Sequence, residues 1–299
     1  MLLIIGTLHT KKVSIMKRFL LLALVCFLGV QMSMAQADII SVNDYLKIMK
    51  DKNVVLVSAR KPADYQKVHI VGAVNINHKD LYNNEPISSV LKSPEEIAKI
   101  FGAKGISETN KIIIYDGGTG KYSGRLYWIL KYIGAQDVKI LDGQLDAWKA
   151  ARKPVTRIPG KGKATTFTAK PNADLIVDMA TVKKAMNNSN SVLVDVRAPE
   201  EFNGTKESKI RKGTIPGSVN LDFKHVLNAK KMLKSKEELA KLFKSKGISP
   251  DKEVILFCET SVRAGIVYLA LTSVLDYSNV KVYDGAYIEW QSVASNNVK

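Results

Sequence analysis

The sequence predicts an α/β protein with two tandem domains, each a parallel sheet flanked by helices on both faces. The first observation is an internal repeat, because several motifs recur at a constant spacing of 142 residues. The matched pairs are Ser93 and Ser235, Gly105 and Gly247, Asp142 and Asp284, and Trp148 and Trp290. The second observation is that short apolar runs alternate with helix-forming segments, which is typical of parallel sheets covered on both faces.

The two copies contain the same elements in the same order. Strands are predicted at residues 54–57, 73–76, 112–115 and 138–141, and again at 191–194, 218–221, 254–257 and 280–283. Ser93 and Ser235 each open an S-x-x-E motif, which predicts the start of a helix. Further helices are predicted over residues 124–132 and 264–275. The second copy has eight extra residues between Arg197 and Asn220.

The chain is expected to divide into four segments. Residues 1–35 are predicted to be a signal peptide, because a basic start at Met16 is followed by an apolar run and by Ser33-Met34-Ala35, an A-x-A-like cleavage pattern. The run is shorter than the about 20 residues that span a bilayer. Met1 and Met16 are both candidate starts. Residues 36–156 form the first domain, 157–173 a linker rich in Gly, Thr, Lys and Pro, and 174–299 the second domain. We therefore expect a periplasmic or secreted protein.

The composition is that of a folded protein, with 46% hydrophobic and 24% charged residues. It excludes disordered, collagen-like and polytopic membrane proteins. The net charge of +17 falls to +13 when the four basic residues of 1–35 are removed, and it indicates an anionic partner. The Lys-rich stretch 224–246 is interpreted as a solvated helix face, so no nucleic-acid or membrane partner is expected.

The two cysteines exclude a disulfide scaffold and a thiolate metal cluster. Cys26 lies in the predicted signal peptide, so Cys258 would be the single thiol of the mature chain. His69, His78 and His225 are far apart in the sequence and are interpreted as structural. We therefore expect no metal and no organic cofactor.

Cys258 directly follows a predicted buried strand and precedes an apolar helix. A tight turn there would direct backbone N–H groups and the helix N-terminus toward the thiol, and Arg263 would add a positive charge. These features favour the nucleophilic thiolate and would also hold an anionic group bound to the sulfur. The candidate loop residues that would bind substrate are Glu259, Thr260, Ser261, Val262 and Arg263.

The first copy has Asp116 at the position of Cys258. A carboxylate cannot perform thiolate chemistry, so only the second copy is expected to be active. Asp195 and Arg197 lie at the end of a neighbouring strand. Asp195 is expected to brace the loop and Arg197 to assist the loop and donor binding, with a structural ion pair as the alternative. The extra loop carries Lys206, Lys209, Arg211 and Lys212, which either steer an anionic donor or are simply solvated.

On these motifs the chain resembles the tandem-domain rhodaneses, a sulfurtransferase family. The motifs that carry the resemblance are Tyr115-Asp116-Gly117, Arg125, Trp128, Leu141-Asp142-Gly143 and Trp148 in the first copy, and Asp195-Val196-Arg197, residues 215–220, residues 258–263, Tyr283-Asp284-Gly285 and Trp290 in the second. Residues 69–73 match the segment 215–220.

The resemblance implies an inactive first domain and a catalytic cysteine, Cys258, in the second. The thiolate would take a sulfane sulfur from a donor as a persulfide and pass it to cyanide or a thiol, with no cofactor. The resemblance also implies that Arg125 projects into the cleft between the domains, with a position on the helix surface as the alternative.

The loop length distinguishes sulfur transfer from related chemistries. In the family, rhodanese-like phosphatases and arsenate reductases use a Cys-x5-Arg loop. Here the segment from Cys258 to Arg263 is Cys-x4-Arg, one residue shorter. The chain departs from the family at Glu259, at Ser261 in place of glycine, and at Glu201 where an arginine often faces the donor. We expect thiosulfate as the donor and a monomeric protein. The alternatives are a 3-mercaptopyruvate sulfurtransferase or a non-enzymatic persulfide or redox carrier.

Overall fold

The computed structural model describes residues 38–299. The predicted signal peptide, residues 1–35, lies outside the described residues. Within residues 38–299, no helix has both the length and the apolar character needed to cross a membrane.

The described chain contains fourteen strands and ten α-helices. The strands are β1 (Ile39–Ile40), β2 (Val54–Ser58), β3 (His69–Ile70), β4 (Val74–Asn75), β5 (Tyr82–Asn83), β6 (Val90–Leu91), β7 (Lys111–Tyr115), β8 (Asp137–Leu141), β9 (Val155–Thr156), β10 (Ile176–Val177), β11 (Ser191–Asp195), β12 (Val219–Asn220), β13 (Glu253–Phe257) and β14 (Val280–Tyr283). The helices are α1 (Val42–Ile48), α2 (Pro62–Lys67), α3 (Pro94–Ala103), α4 (Lys121–Tyr132), α5 (Gln144–Ala150), α6 (Met179–Ala185), α7 (Pro199–Phe202), α8 (Lys236–Lys244), α9 (Ala264–Leu269) and α10 (Ala286–Ser292).

Two five-stranded parallel sheets have the same strand order. The first is β1-β8-β7-β2-β4 and the second is β10-β14-β13-β11-β12. The predicted α/β fold with two parallel sheets flanked by helices is therefore confirmed. The edge strands β1 and β10 were not predicted, since two residues are too few to show a periodic pattern. Two short antiparallel pairs, β3 with β9 and β5 with β6, complete the first domain.

The helix starts follow local hydrogen bonding. Both predicted capping boxes are present, with the Ser93 and Ser235 hydroxyls each accepting a backbone N–H from the glutamate three residues later. The helix predicted over 124–132 starts earlier, at Lys121. The carboxylate of Asp116 accepts hydrogen bonds from N–H groups of its first turn, which have no acceptor within the helix. The helix predicted over 264–275 is α9 followed by a π-helical turn, Ala270–Val274.

The two domains share one continuous hydrophobic core, formed around helices α4 and α9. The helices cross at Gly124 and Gly265, where a Cβ atom on either glycine would overlap the backbone of the other helix. Each helix follows the loop after the central strand of its sheet, β7 in the first domain and β13 in the second. The crossing therefore brings the loop after β13 against the first domain.

Residues 157–172 form no helix or strand and lie against the first domain. The backbone N–H of Thr165 donates to the carbonyl of Gly102 at 2.9 Å, and Phe167 is buried. The predicted linker is thus an extended segment with fixed contacts.

Candidate active site

Cys258 directly follows strand β13, and the loop of residues 258–263 connects it to α9. Its side chain is buried, and the backbone N–H of Arg263 lies 3.4 Å from Sγ in donor geometry. The other side of the loop is fixed by α10, because the N–H groups of Tyr287 and Ile288 donate to the carbonyls of Cys258 and Glu259 at 2.9 and 3.0 Å. The sulfur therefore lies in a turn whose backbone is held from both sides.

Ser261 has a backbone conformation that favours glycine. Its φ is 53°, and it is fully buried. A left-handed conformation costs a residue with a Cβ atom about 1–2 kcal/mol. Its hydroxyl donates to the carbonyl of Tyr283, which offsets this cost. This bond explains how the loop accepts serine where the family resemblance led us to expect glycine.

Arg263 is paired with Glu201 through two parallel hydrogen bonds. Nη1 lies 2.6 Å from Oε2 and Nη2 lies 3.0 Å from Oε1. Burial opposes the charge of Arg263, but Cys258 and Glu201 outweigh it and raise the pKa of the guanidinium. Burial likewise opposes the charge of Glu201, but Arg263 and Lys206 outweigh it and lower the pKa of this carboxyl. The guanidinium beside the sulfur is therefore permanently charged and partly neutralised by Glu201.

The loop forms one wall of a cleft of about 610 Å³ between the domains. Six basic and three acidic side chains line it. The basic ones are Lys61, Lys79, Lys121, Lys206, Lys224 and Arg263, and the acidic ones are Glu201, Asp222 and Glu259. The excess of positive charge attracts anions. Thr260 and Val262 also line this cleft.

Lys206 is the one residue of the basic insertion that lines this cleft. Arg211 and Lys212 line a smaller adjoining pocket of about 140 Å³ together with Arg197, and Lys209 lines neither.

Asp195 and Arg197 form a buried ion pair, with Nη2 and Oδ2 2.6 Å apart. Arg197 also donates to the carbonyl of Gly213 at 2.7 Å, and its guanidinium lies over the ring of Tyr287 at 4.1 Å. Since Tyr287 binds the carbonyl of Cys258, the ion pair contacts the loop indirectly. Bracing of the loop by this pair stays a prediction.

Arg125 is fully buried between the domains, so the alternative of a position on the helix surface is wrong. Its Nη2 lies 2.7 Å from Oδ1 of Asp284 in the second domain, and its Nε–H donates to the hydroxyl of Tyr82 at 3.1 Å. Burial opposes the charge, but Tyr82 and Asp284 raise the pKa of Arg125. The expected projection of Arg125 into the cleft is not observed either, because Arg125 lies behind Tyr82 and is absent from the lining of the cleft.

Asp116 occupies the position of Cys258 in the first domain and is fully buried. Its carboxylate accepts hydrogen bonds from five backbone N–H groups of its own loop and helix. The donors are Gly118, Thr119, Gly120, Tyr122 and Ser123, at 2.7 to 3.4 Å. The turn in this register can therefore surround an anionic side-chain atom with N–H donors.

Sequence reasoning missed most of the cleft wall, including the first-domain side and two residues that it had interpreted otherwise. Glu201 was noted only as a departure from the family, and His78 was interpreted as structural. The structure places both on the cleft wall. His69 does have a structural setting, with its ring nitrogens 2.7 and 2.9 Å from the carbonyls of Tyr65 and Ile158. No group of three or more His, Cys, Asp or Glu residues within the described part of the chain could hold a metal ion.

Comparison with known proteins agrees with this architecture. The rhodanese-like domain matches the chain twice, over residues 41–151 and 178–293. A relative from Mycolicibacterium smegmatis named "Putative thiosulfate sulfurtransferase" is 31% identical over 87% of this chain and 97% of its own length. One from Haloferax volcanii with the same name is 30% identical over 79% of this chain and 84% of its own.

Among solved structures, the 3-mercaptopyruvate sulfotransferase SseA of Escherichia coli superposes with a TM-score of 0.77. It is 28% identical, with 84% of this chain and 99% of that chain covered. The anaerobic ergothioneine biosynthesis enzyme of Chlorobium limicola shares the fold, with a TM-score of 0.76 and 21% identity over 82% of this chain and 64% of that chain. The chain belongs to the rhodanese family and carries two rhodanese-like domains in tandem.

Proposed function

We propose that the protein is a sulfurtransferase that moves a sulfane sulfur from thiosulfate to cyanide or a thiol through a persulfide on Cys258. The observation that carries the proposal is the setting of this thiol. It lies in a strand-to-helix turn, accepts the N–H of Arg263 at 3.4 Å, and is followed by residues that line a basic cleft. This N–H group and the guanidinium of Arg263 are donors that can hold an anionic group beside the sulfur.

The two half-reactions balance without a cofactor. In the first, the Cys258 thiolate attacks the outer sulfur of thiosulfate, the S–S bond of the donor breaks, and sulfite leaves with the electron pair. Cys258 then carries a persulfide anion. In the second, cyanide attacks the outer sulfur, the persulfide S–S bond breaks, thiocyanate leaves, and the thiolate is restored. A thiol acceptor would first lose its proton.

Asp116 supports the persulfide step. A carboxylate oxygen lies two bonds from Cβ, as does the outer sulfur of a cysteine persulfide. In the first domain the two carboxylate oxygens of Asp116 accept hydrogen bonds from five backbone N–H groups. We infer that the matched loop, residues 258–263, likewise directs N–H groups at the outer sulfur and stabilises its negative charge.

Thiosulfate is the proposed donor because it is a compact dianion and the cleft carries a positive excess. The names of the curated relatives favour the same donor. The second candidate is 3-mercaptopyruvate, favoured by the likeness to SseA over nearly its whole length. Glu201 stands where the family often has a donor-facing arginine, so the bidentate partner that a planar carboxylate such as that of mercaptopyruvate prefers is missing there.

The experiment compares thiocyanate formation from thiosulfate and from 3-mercaptopyruvate, with cyanide as the acceptor. We expect turnover with thiosulfate at the higher kcat/KM. If kcat/KM for mercaptopyruvate were at least tenfold higher than for thiosulfate, mercaptopyruvate would be the donor. The proposed role of Cys258 would be unaffected. A persulfide that forms without turnover in either assay would favour the carrier alternative.

We also propose that the mature chain begins after Ala35 and is exported. The support is the sequence pattern of residues 16–35 alone. N-terminal sequencing of the protein recovered from a periplasmic or culture fraction tests this. A protein that keeps residues 16–35 would contradict the proposal.

A further inference from the structure

His78 lies on the first-domain wall of the cleft, at the start of the 3-10 turn His78–Leu81 that follows β4. Its ring stacks on that of Tyr122 with centroids 4.8 Å apart. It lines the main cleft and also an adjoining cavity of about 260 Å³ whose opposite wall includes Thr260 and Val262. His78 therefore faces the Cys258 loop across the domain interface.

A chain of hydrogen bonds fixes the proton of this ring. Arg125 Nε–H donates to the Tyr82 hydroxyl at 3.1 Å, and this hydroxyl lies 3.0 Å from Nδ1 of His78. Because arginine can only donate, the proton of the buried Tyr82 hydroxyl is available for Nδ1. A neutral ring that accepts at Nδ1 carries its own proton on Nε2. Within residues 38–299, Nε2 has no hydrogen-bond partner. It is not fully buried, so it retains some exposure to solvent.

The ring is neutral at physiological pH. Burial, and to a smaller extent the positive charges of Arg125, Lys79, Lys121 and Lys61, together lower the pKa of His78 to about 4. The same charges make the surroundings of Nε2–H attractive to an anion. The side chain thus offers the cleft one oriented, neutral N–H donor among lysines.

We propose that His78 binds the oxyanion end of the sulfur donor, with Nε2–H donating to an oxygen of the sulfonate and then of the departing sulfite. This inference rests on the proposed function. The outer sulfur of the donor must face Cys258 in the second domain, so the sulfonate points away from Sγ, toward the opposite wall that His78 forms. When the donor S–S bond breaks, the electron pair goes to sulfite, and the proton remains on Nε2.

The repeat supplies a substitution that the fold already accepts. The second-domain residue matched to His78 is Phe223, which begins the equivalent 3-10 turn and lines the same cleft. His78→Phe keeps an aromatic ring and removes the N–H donor. His78→Gln keeps an N–H group at about the reach of Nε2. His225→Phe, in the matched turn but exposed and outside the cleft lining, is the control.

The first test is steady-state kinetics with thiosulfate and cyanide. One hydrogen bond to a charged group is worth about 1.5–3 kcal/mol, so His78→Phe should raise the thiosulfate KM about 10- to 100-fold. The reaction of a preformed persulfide with cyanide should keep its rate. His78→Gln should recover most of the loss, and His225→Phe should match the wild type. An unchanged KM in His78→Phe, or equal losses in the Phe and Gln variants, would overturn the proposal.

The second test separates this inference from the proposed function. Thiosulfate and sulfite are titrated calorimetrically into Cys258→Ala with and without His78→Phe, so no turnover is needed. Weaker binding of either anion in the double variant supports the inference even if the wild type forms no thiocyanate. Equal binding overturns it even if the wild type is an active sulfurtransferase. Nitrogen NMR of the His78 ring should show a protonated Nε2 and an unprotonated Nδ1, and the reverse pattern would also overturn it.

Discussion

The ion pair between Arg125 and Asp284 connects the two domains inside their shared core, and its loss should be costly. The change is Asp284→Asn, which keeps the size of the side chain and removes its charge. Arg125 is fully buried and Asp284 is nearly so, at 2.7 Å from each other. Breaking a buried pair by removing one partner costs about 3–5 kcal/mol, because the remaining charge stays buried.

Two features of the structure place the cost at the lower end of that range. The guanidinium also lies over the rings of Trp128 and Tyr82, at 4.8 and 5.2 Å, and asparagine keeps an oxygen that can accept from Nη2. We therefore expect Asp284→Asn to lower the free energy of unfolding by about 3 kcal/mol. The assay is urea unfolding followed by tryptophan fluorescence, analysed at constant m-value.

The repeat provides a matched control for this prediction. Asp142 is the equivalent aspartate, and its Oδ1 accepts the N–H of Leu233 at 3.1 Å as Asp284 accepts the N–H of Leu91. Asp142 has no such buried cation beside it, because only burial and the backbone N–H groups of Leu233 and Gly143 shift the pKa of its carboxyl. Asp142→Asn should cost less than about 1 kcal/mol. Equal losses in the two variants, or a loss below about 1 kcal/mol for Asp284→Asn, would refute the reasoning.

Three further predictions concern the loop and the cleft. Glu201→Gln should release the guanidinium of Arg263 and lower the KM for thiosulfate several-fold in the thiocyanate assay. Ser261→Ala should lose about 1 kcal/mol of stability in urea because it keeps the backbone strain and loses the hydroxyl bond, whereas Ser261→Gly should stay near the wild type because both contributions disappear. As the pH falls from 6.5 to 4, the free energy of unfolding of the wild type should decrease by up to about 3 kcal/mol relative to that of His78→Phe. The reason is that the lowered pKa of His78 lets the unfolded state bind a proton that the folded state does not bind.

Each of these predictions has an outcome that would contradict it. For the first, the control is Glu207→Gln, whose exposed side chain pairs with Lys212. A KM that rises in Glu201→Gln would show that Glu201 assists donor binding. For the second, if Ser261→Gly were less stable in urea than Ser261→Ala, the backbone at Ser261 would carry no strain. For the third, parallel stability curves for wild type and His78→Phe would mean that the ring titrates normally in the folded state.

Sequence pattern was sufficient for the features that depend on neighbours in the chain. The long strands and the two capping boxes follow from local spacing, and the alignment of Asp116 with Cys258 follows from the internal repeat. The start of α4 was placed late, because the N–H groups of its first turn bind a carboxylate that belongs to the preceding loop. A pattern of apolar residues does not show such a bond.

Contacts between distant segments could not be predicted from the sequence. Glu201 and Arg263 are 62 residues apart, and their pairing depends on how α7 is placed beside the loop. The position of His78 depends on the crossing of α4 and α9 at Gly124 and Gly265, which brings the first domain over the loop of the second. Neither arrangement has a signature in the spacing of residues, although the match between His78 and Phe223 could have shown that the two cleft walls are equivalent.

The central claim is that Cys258 receives the transferred sulfur, and intact-protein mass spectrometry tests it most directly. The protein is incubated with thiosulfate, freed of donor and measured without reductant, in parallel with Cys258→Ser. The account predicts a gain of one sulfur atom in the wild type, its loss on addition of cyanide with formation of thiocyanate, and no gain in the folded serine variant. A serine variant that gains the sulfur, or that keeps more than a small part of the activity, would contradict the claim.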